Sequence, residues 1–376
     1  MATTKRSGSQ EISSQIVSKR VKSGEIEREL GLDESRSQAV ALSSNSKDDD
    51  NRLIRHVTRT SKLSAPIIKL EGCHSEEITA VRFDLTGNVI VAASTDKSIS
   101  LWRTYTDNAN FGFIPSAHKQ AITSISLSRK SPSNPTIVSA SADATIGVWD
   151  SNTGNLIRRL REHSDVVNAV AFSKNPANEL LASAGDDSKV CIWDVHNSKH
   201  PLQVIHWHSP VISVEWADDG STIFIGGLDN EVHAYDLTSS ATLYSLRGHT
   251  DTVTYLRLSP TGQHLVSCSN DSTVRVWDVR PFTNDPSRLH RTLYGAVSSF
   301  EGVYTQPAWT PDGARVAVGS ADRTVTVWDV ESGNILYKLP GHTGTVNAVD
   351  IHPTEPIIVS SGKDAKMYLG ELMESL

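Results

Sequence analysis

The chain has 376 residues, 38 % of them apolar and 21 % charged, and a formal net charge of −7. That length suits one large domain or two ordinary ones, and the composition predicts that most of the chain folds. The acidic balance argues against a protein that grips nucleic acid through a broadly basic surface, and no apolar run of about 18 residues suggests a membrane span.

The first segment, residues 1–61, is rich in Ser, Lys, Arg, Asp and Glu and holds no Trp, Tyr or Phe. It offers too little apolar surface to offset ordering entropy, so it reads as a disordered, basic tail. Within it, SGEIERELG predicts a short helix over residues 24–30, with Ser23 as cap and Gly31 as stop. Lys5-Arg6 and Lys19-Arg20-Val21-Lys22 stand twelve residues apart, the spacing of a bipartite nuclear import signal, though a solvated basic tail looks the same. The start, MATTKRSGSQEISS, has no apolar core of a secretory signal. Cys73, Cys191 and Cys268 are too few and scattered for a disulfide framework, and are expected to be reduced thiols of an intracellular protein.

From residue 62 onward one unit repeats. It reads TDKSISLWR at 95–103, ADATIGVWD at 142–150 and DDSKVCIWD at 186–194. It continues as LDNEVHAYD at 228–236, NDSTVRVWD at 270–278, ADRTVTVWD at 321–329 and a degenerate KDAKMYLGE at 363–371. The aromatic positions Trp102, Trp149, Trp193, Tyr235, Trp277 and Trp328, with Gly370 in the last copy, are separated by 47, 44, 42, 42, 51 and 42 residues. Upstream lie His74, His118, His163, His208, His249 and His342, each four residues before Ile78, Ile122, Val167, Ile212, Val253 and Val346. In the sixth unit Phe300 falls where the histidine should align. Alternating apolar residues around PTG, PDG and DDG turns predict about four short antiparallel strands per unit. Units of this size cannot bury their faces alone, so they should stack and close radially.

A His, a Ser and an Asp in one unit, such as His163, Ser183 and Asp187, invite a catalytic-triad reading. The same set recurs in most units, whereas catalysis needs one constellation in one pocket. No catalytic residue is therefore assigned. Cys73-His74 lacks further ligands at any fitting spacing, and no Gly-rich phosphate motif precedes a helix, so neither a metal nor a cofactor is expected.

The His … Asp-x5-Trp-Asp unit resembles the WD-repeat β-propeller family over about residues 64–371. The resemblance implies an all-β, seven-bladed propeller over residues 62–376, closed by strand 65–70 beside the last blade. It further implies an internal network in which the histidine bonds the Asp and the Trp indole reaches a serine. The assigned sets are His118, Ser141, Asp143 and Trp149; His163, Ser183, Asp187 and Trp193; and His249, Ser269, Asp271 and Trp277. Blades 1, 4, 6 and 7 depart from the pattern, through Arg103 and Cys73, Tyr235, Phe300 and Gly370, and are expected to lack the full set. Trp216 and Trp309 align with core positions. Trp207, in IHWHSP, takes the place of the Gly before the histidine and is a candidate surface aromatic.

A propeller without an active site binds partners through its loops. Glu76, Glu77, Asp165 and Asp251 make the histidine-bearing face acidic, opposed mainly by Lys119 and Lys363. The longest spacing holds residues 280–304, where Arg280, Phe282, Arg288, Arg291 and Tyr294 combine basic and aromatic groups enriched at interface hot spots. SAPIIKLEG (64–72), RVWDVRPF (275–282), NILYKLPGHTGTVN (334–347) and EPIIVSSGKDAKMYLGEL (355–372) are similar to the WD-repeat subunits of the spliceosomal U5 small nuclear ribonucleoprotein. That similarity implies a nuclear scaffold for pre-mRNA splicing that docks on spliceosomal proteins, the largest U5 protein first. RNA contact would be indirect or minor, with no membrane and no small-molecule substrate. A WD-repeat adaptor of another nuclear complex, such as a ubiquitin-ligase substrate receptor or a chromatin adaptor, and a catalytic propeller remain alternatives.

Overall fold

Period-two alternation broken every five or six residues by polar turns gives strands, and strands are what form. The computed structural model describes residues 61–105, 108–130, 135–175, 179–283, 285–298 and 305–372. The bipartite basic clusters (Lys5, Arg6, Lys19, Arg20, Lys22), the helix expected at 24–30 and Phe300 lie outside the described residues.

The strand β1 (Ile67–Leu70) comes first. Blade 1 is β2 (Ile78–Phe83), β3 (Val89–Ser94), β4 (Ile99–Arg103) and β5 (Asn110–Ile114). Blade 2 is β6 (Ile122–Leu127), β7 (Thr136–Ser141), β8 (Ile146–Asp150) and β9 (Leu156–Leu160). Blade 3 is β10 (Val167–Phe172), β11 (Leu181–Gly185), β12 (Lys189–Trp193) and β13 (Gln203–His206). Blade 4 is β14 (Val211–Trp216), β15 (Thr222–Gly227), β16 (Val232–Asp236) and β17 (Ala241–Leu246). Blade 5 is β18 (Val253–Leu258), β19 (His264–Ser269), β20 (Val274–Asp278) and β21 (Leu289–Leu293). Blade 6 is β22 (Ala308–Trp309), β23 (Arg315–Gly319), β24 (Thr324–Asp329) and β25 (Ile335–Pro340). Blade 7 is β26 (Val346–Ile351), β27 (Ile357–Gly362) and β28 (Met367–Glu371), completed by β1 as its outer strand.

Seven four-stranded antiparallel sheets result, and the fold is an all-β, seven-bladed propeller with no helix among the described residues. β1 closes the ring in the register Ile67↔Gly370 to Leu70↔Met367. That pairing covers the exposed edge that β28 would otherwise offer to another chain.

The core lies between blades rather than within them. One cluster joins Val91 and Ile99 of blade 1 to Ile122, Ile125 and Trp149 of blade 2; another joins Ala182 and Ile192 of blade 3 to Trp216 and Ile223 of blade 4. Trp102, Trp149, Trp193, Trp216, Trp277, Trp309 and Trp328 are all buried. Neighbouring inner strands are tied by side chains near their starts. Thr79 Oγ1 donates to Ile122 O (2.7 Å), Asn168 Nδ2 to Val211 O (3.0 Å) and Asn347 Nδ2 to Ile78 O (3.1 Å). The result is a ring whose loops are held at both ends by a shared apolar frame.

Candidate partner-binding surfaces

In every blade the turn between the second and third strands carries an Asp followed by a non-glycine residue at positive φ: Lys97, Ala144, Ser188, Asn230, Ser272, Arg323 and Ala365. The Asp side chain braces that turn by accepting backbone N–H groups, as Asp187 does from Lys189 (3.2 Å) and Ser164 (3.0 Å). The histidine of the preceding loop drops onto the same Asp. His163 Nδ1 lies 2.9 Å from Asp187 and its Nε2 lies 2.8 Å from Ser183 Oγ, which also accepts the Trp193 indole N–H at 2.9 Å.

Two serines differ from the sequence assignment. His118 and Trp149 meet at Ser139, not Ser141, at 2.8 and 2.9 Å. His249 and Trp277 meet at Ser267, not Ser269, at 2.7 and 2.8 Å. Each pair of serines lies two residues apart on one face of a strand, so alternation cannot tell them apart. Ser141 and Ser269 instead end their strands, accept the N–H of Asp143 and Asp271 (both 3.1 Å), and donate to the carbonyls of Ala121 and Asp251 (both 2.9 Å). The ten-residue Ser-to-Trp spacing, shared by 139–149, 183–193 and 267–277, is the signal that identifies the right serine.

Blade 1 has the full set despite Arg103 and Cys73. Ala92 replaces the expected serine, and Ser100, its cross-strand partner, supplies the hydroxyl to His74 (2.7 Å) and Trp102 (2.9 Å). Blade 7 keeps His342 on Asp364 (3.0 Å) and Ser360 (2.9 Å), with Tyr368 edge-on to the imidazole in place of the lost Trp. In blade 6 the Trp328 indole donates to the Tyr294 carbonyl at 2.9 Å.

These groups are enclosed by the blades. Ser139, Ser183 and Ser267 are wholly buried. Burial pushes His74, His118 and His342 below their ordinary value, against the opposing pull of their Asp partners. Burial raises the Asp271 carboxyl, but hydrogen bonds from His249 and Thr273 outweigh it and hold the group well below the carboxylate range. The network therefore satisfies buried polar groups and fixes loops.

Blade 4 is wired differently. Its inner strand starts at Val211, so the residue four positions earlier is Trp207, not His208. Trp207 thus occupies the histidine position, to which the repeat pattern assigns His208. It is half-buried, its ring 5.1 Å from His233 and 6.2 Å from Tyr235, with its N–H 3.4 Å from Asp229 Oδ2. Its ring packs on His208, His233 and Tyr235 while part of it stays exposed.

Glu76, Glu77, Asp165 and Asp251 all lie on histidine loops, at one end of the ring. Glu76, Asp165 and Asp251 are exposed, and Lys97, Lys119, Arg323 and Lys363 are exposed cations on loops or turns of that same face.

The described residues of this segment, 280–283 and 285–298, do not form one surface. β21 runs through them, and its pairing sets Leu293 against Val274 and Leu289 against Trp277. Tyr294 therefore emerges on the histidine face, while Arg280, Phe282 and Arg288 sit at the opposite end of the blade. Arg280 Nε donates to Asp278 Oδ1 (2.9 Å), and this hydrogen bond lowers the Asp278 carboxyl to about 2. Arg288 lies 4.0 Å from the centre of the Tyr244 ring and donates to the carbonyls of Arg280 (2.7 Å) and Asp278 (3.2 Å). Arg291 donates to the Glu331 carbonyl. The three arginines thus shape their loops. Phe282 is 94 % exposed and Tyr294 67 % exposed.

At the end of the central channel opposite the histidine face is a cavity of about 360 Å³ lined by Phe83, Arg129, Glu215, Arg257 and Asp350. Just inside, Arg82 Nη2 donates to Tyr255 OH (2.6 Å) and Arg257 Nη2 to Asp350 (3.2 Å), tying blades 1 and 7 to blade 5.

The profile of the WD domain, G-beta repeat family matches residues 65–103, 111–150, 154–194, 199–236, 240–278, 288–329 and 333–369, one match per blade. The chain is 37 % identical over 321 residues to the U5 small nuclear ribonucleoprotein 40 kDa protein of Dictyostelium discoideum, covering 85 % of this chain and 88 % of that protein. It is 39 % identical over 314 residues to the human protein of the same name, covering 84 % and 86 %. It is 36 % identical over 314 residues to the pre-mRNA-splicing factor cwf17 of Schizosaccharomyces pombe, covering 84 % and 90 %.

Proposed function

We propose that this chain, which belongs to the WD-repeat, G-beta-repeat family, is a non-catalytic protein-interaction scaffold of the U5 small nuclear ribonucleoprotein that assists pre-mRNA splicing in the nucleus. The observation that carries the reading is continuous similarity, 36–39 % identity over at least 84 % of this chain, to proteins named for that particle and that process. The propeller suits the role, because its loops are fixed by buried hydrogen bonds and offer preorganised surfaces on two faces. The partners are spliceosomal proteins, the largest U5 protein first among them. The RPF turn provides the anchor: the Arg280–Asp278 ion pair and the Arg288 contacts hold Phe282 out into solvent.

The test is affinity purification of the tagged chain from nuclear extract, with RNA and protein identification. Wild type should bring down U5 RNA and the largest U5 protein, and failure to recover either sinks the splicing reading. Phe282→Ala, at an exposed position, should leave the melting temperature unchanged and lower recovery of the largest U5 protein. Tyr294→Ala probes the other face. If only Tyr294→Ala lowers recovery, the docking surface is the histidine face instead.

A further inference from the structure

The rewiring of blade 4 brings together three groups that the sequence keeps apart. Asp229 stands in the turn between β15 and β16, His233 on β16, and His208 in the loop before β14. His208 Nε2 lies 3.1 Å and His233 Nε2 3.0 Å from the same oxygen, Asp229 Oδ2. The three ligand-type atoms lie within 4.8 Å of one another. Among the described residues no other carboxylate oxygen receives two imidazoles.

We propose that His208, Asp229 and His233 form a binding site for a zinc-class divalent cation on the histidine face of blade 4. Metal–ligand bonds of about 2.0–2.1 Å in a tetrahedral shell set ligand atoms about 3.3 Å apart, close to the two histidine–aspartate spacings here. Two imidazoles and a carboxylate suit zinc-like ions better than magnesium or calcium, which favour all-oxygen shells.

The surroundings support the site. His233 Nδ1 lies 2.8 Å from Ser245 Oγ, its cross-strand neighbour. Without metal, Nε2–H can donate to Asp229 while Nδ1 accepts from that hydroxyl; with the proton on Nδ1 and donated to Ser245, the Nε2 lone pair is free to bind a cation. Such an outer hydrogen bond commonly orients a metal-binding histidine. The Trp207 ring lies 5.0 Å from His208 and 5.1 Å from His233, walling one side. The His208 side chain is 61 % exposed, so a fourth position opens to water. In blades 3 and 5 a buried histidine joins the loop to the turn; in blade 4 the cation makes that join.

The experiment uses the untagged full-length chain, stripped of metal with chelator and titrated with Zn²⁺ against a chromophoric competitor. Wild type should take up one equivalent, and Zn²⁺ should raise its melting temperature. His208→Ala should fold as wild type in metal-free buffer, bind Zn²⁺ about tenfold more weakly or worse, and lose the thermal shift. His233→Gln should lose binding too, and Co²⁺ loaded on wild type should give visible absorption that both variants lack. Wild type that takes up no zinc overturns the proposal. So does a His208→Ala protein that binds zinc as tightly as wild type.

Discussion

Blades 3 and 4 are neighbours with the same strand count, the same antiparallel order and a register shift at the same place, between Val167 and Ala169 and between Val211 and Ser213. They share one apolar cluster, and each has a non-glycine residue at positive φ after its turn Asp. Their polar wiring has almost nothing in common. Blade 3 runs loop His163 to Asp187 and Ser183 to Trp193, while blade 4 has Ile225 opposite His233 where blade 3 has Ser183 opposite Cys191. Blade geometry is therefore set by alternation, the bulge and the turn, and the hydrogen-bond chain is a replaceable way of satisfying what the geometry buries.

The sharpest way to break that comparison is to delete the loop histidine from each blade. His163→Ala leaves Asp187 and Ser183 buried without their main side-chain partner and should cost about 1–3 kcal/mol. His208→Ala in metal-free buffer removes an exposed ring and should stay within about 0.5 kcal/mol. Urea unfolding of the two variants measures the difference, and equal losses would mean that His208 carries the role that its place in the sequence suggests.

The same contrast explains what the sequence made legible. Repeated Asp-x5-Trp and the 42- to 51-residue spacing expose blade number, strand class and the buried tryptophans, because one pattern is written many times. Closure by residues near 67–70 is also readable, since the last copy ends one strand short. Three things are hidden for physical reasons. Ser139 and Ser141 share a strand face, so period two does not separate them. A loop one residue shorter before Val211 shifts Trp207 into the histidine position, and matching His to His misaligns it. LHRTL, residues 289–293, alternates too weakly to show that β21 sets Phe282 and Tyr294 on opposite faces.

Acid should act on the turn Asp of both blades alike, and on the buried histidines of blades 1, 2 and 7. Burial holds His74, His118 and His342 below the ordinary 6.5, so the unfolded chain takes up protons first as pH falls below that value. Their contribution to stability is whole above 6.5 and declines toward their folded values. Burial raises Asp187 and Asp229, but hydrogen bonds from His163 and Ser164 to the first, and from His233 to the second, leave both below 3.8. Those contributions hold above 3.8 and are lost as pH falls through the folded values. The urea midpoint should thus drop in two stages between neutral pH and about pH 3. Asp187→Asn and Asp229→Asn should each flatten the lower stage. A midpoint that rises on acidification, or an Asp187→Asn profile parallel to wild type below 3.8, would contradict the assignment.

The smallest expected difference lies in the turns, where the two blades solve one problem with different residues. Ser188 sits at φ 57° and Asn230 at φ 63°, both in the left-handed region. A residue with a Cβ is strained there by about 1–2 kcal/mol, and glycine is not. Glycine also gains more freedom when unfolded, which takes back about 0.5–1 kcal/mol. Ser188→Gly should therefore stabilise by about 0.5 kcal/mol, the surplus of relieved strain over added entropy. Asparagine tolerates this conformation better than serine, so less strain is there to relieve in blade 4. Asn230→Gly also removes a contact between Asn230 Nδ2 and the Thr250 carbonyl at 3.5 Å. Its net effect should be zero or slightly destabilising. Thermal melts of the two glycine variants decide the matter: a gain confined to Ser188→Gly fits unequal strain, whereas equal gains would mean that both turns are strained alike and that asparagine gives blade 4 no advantage.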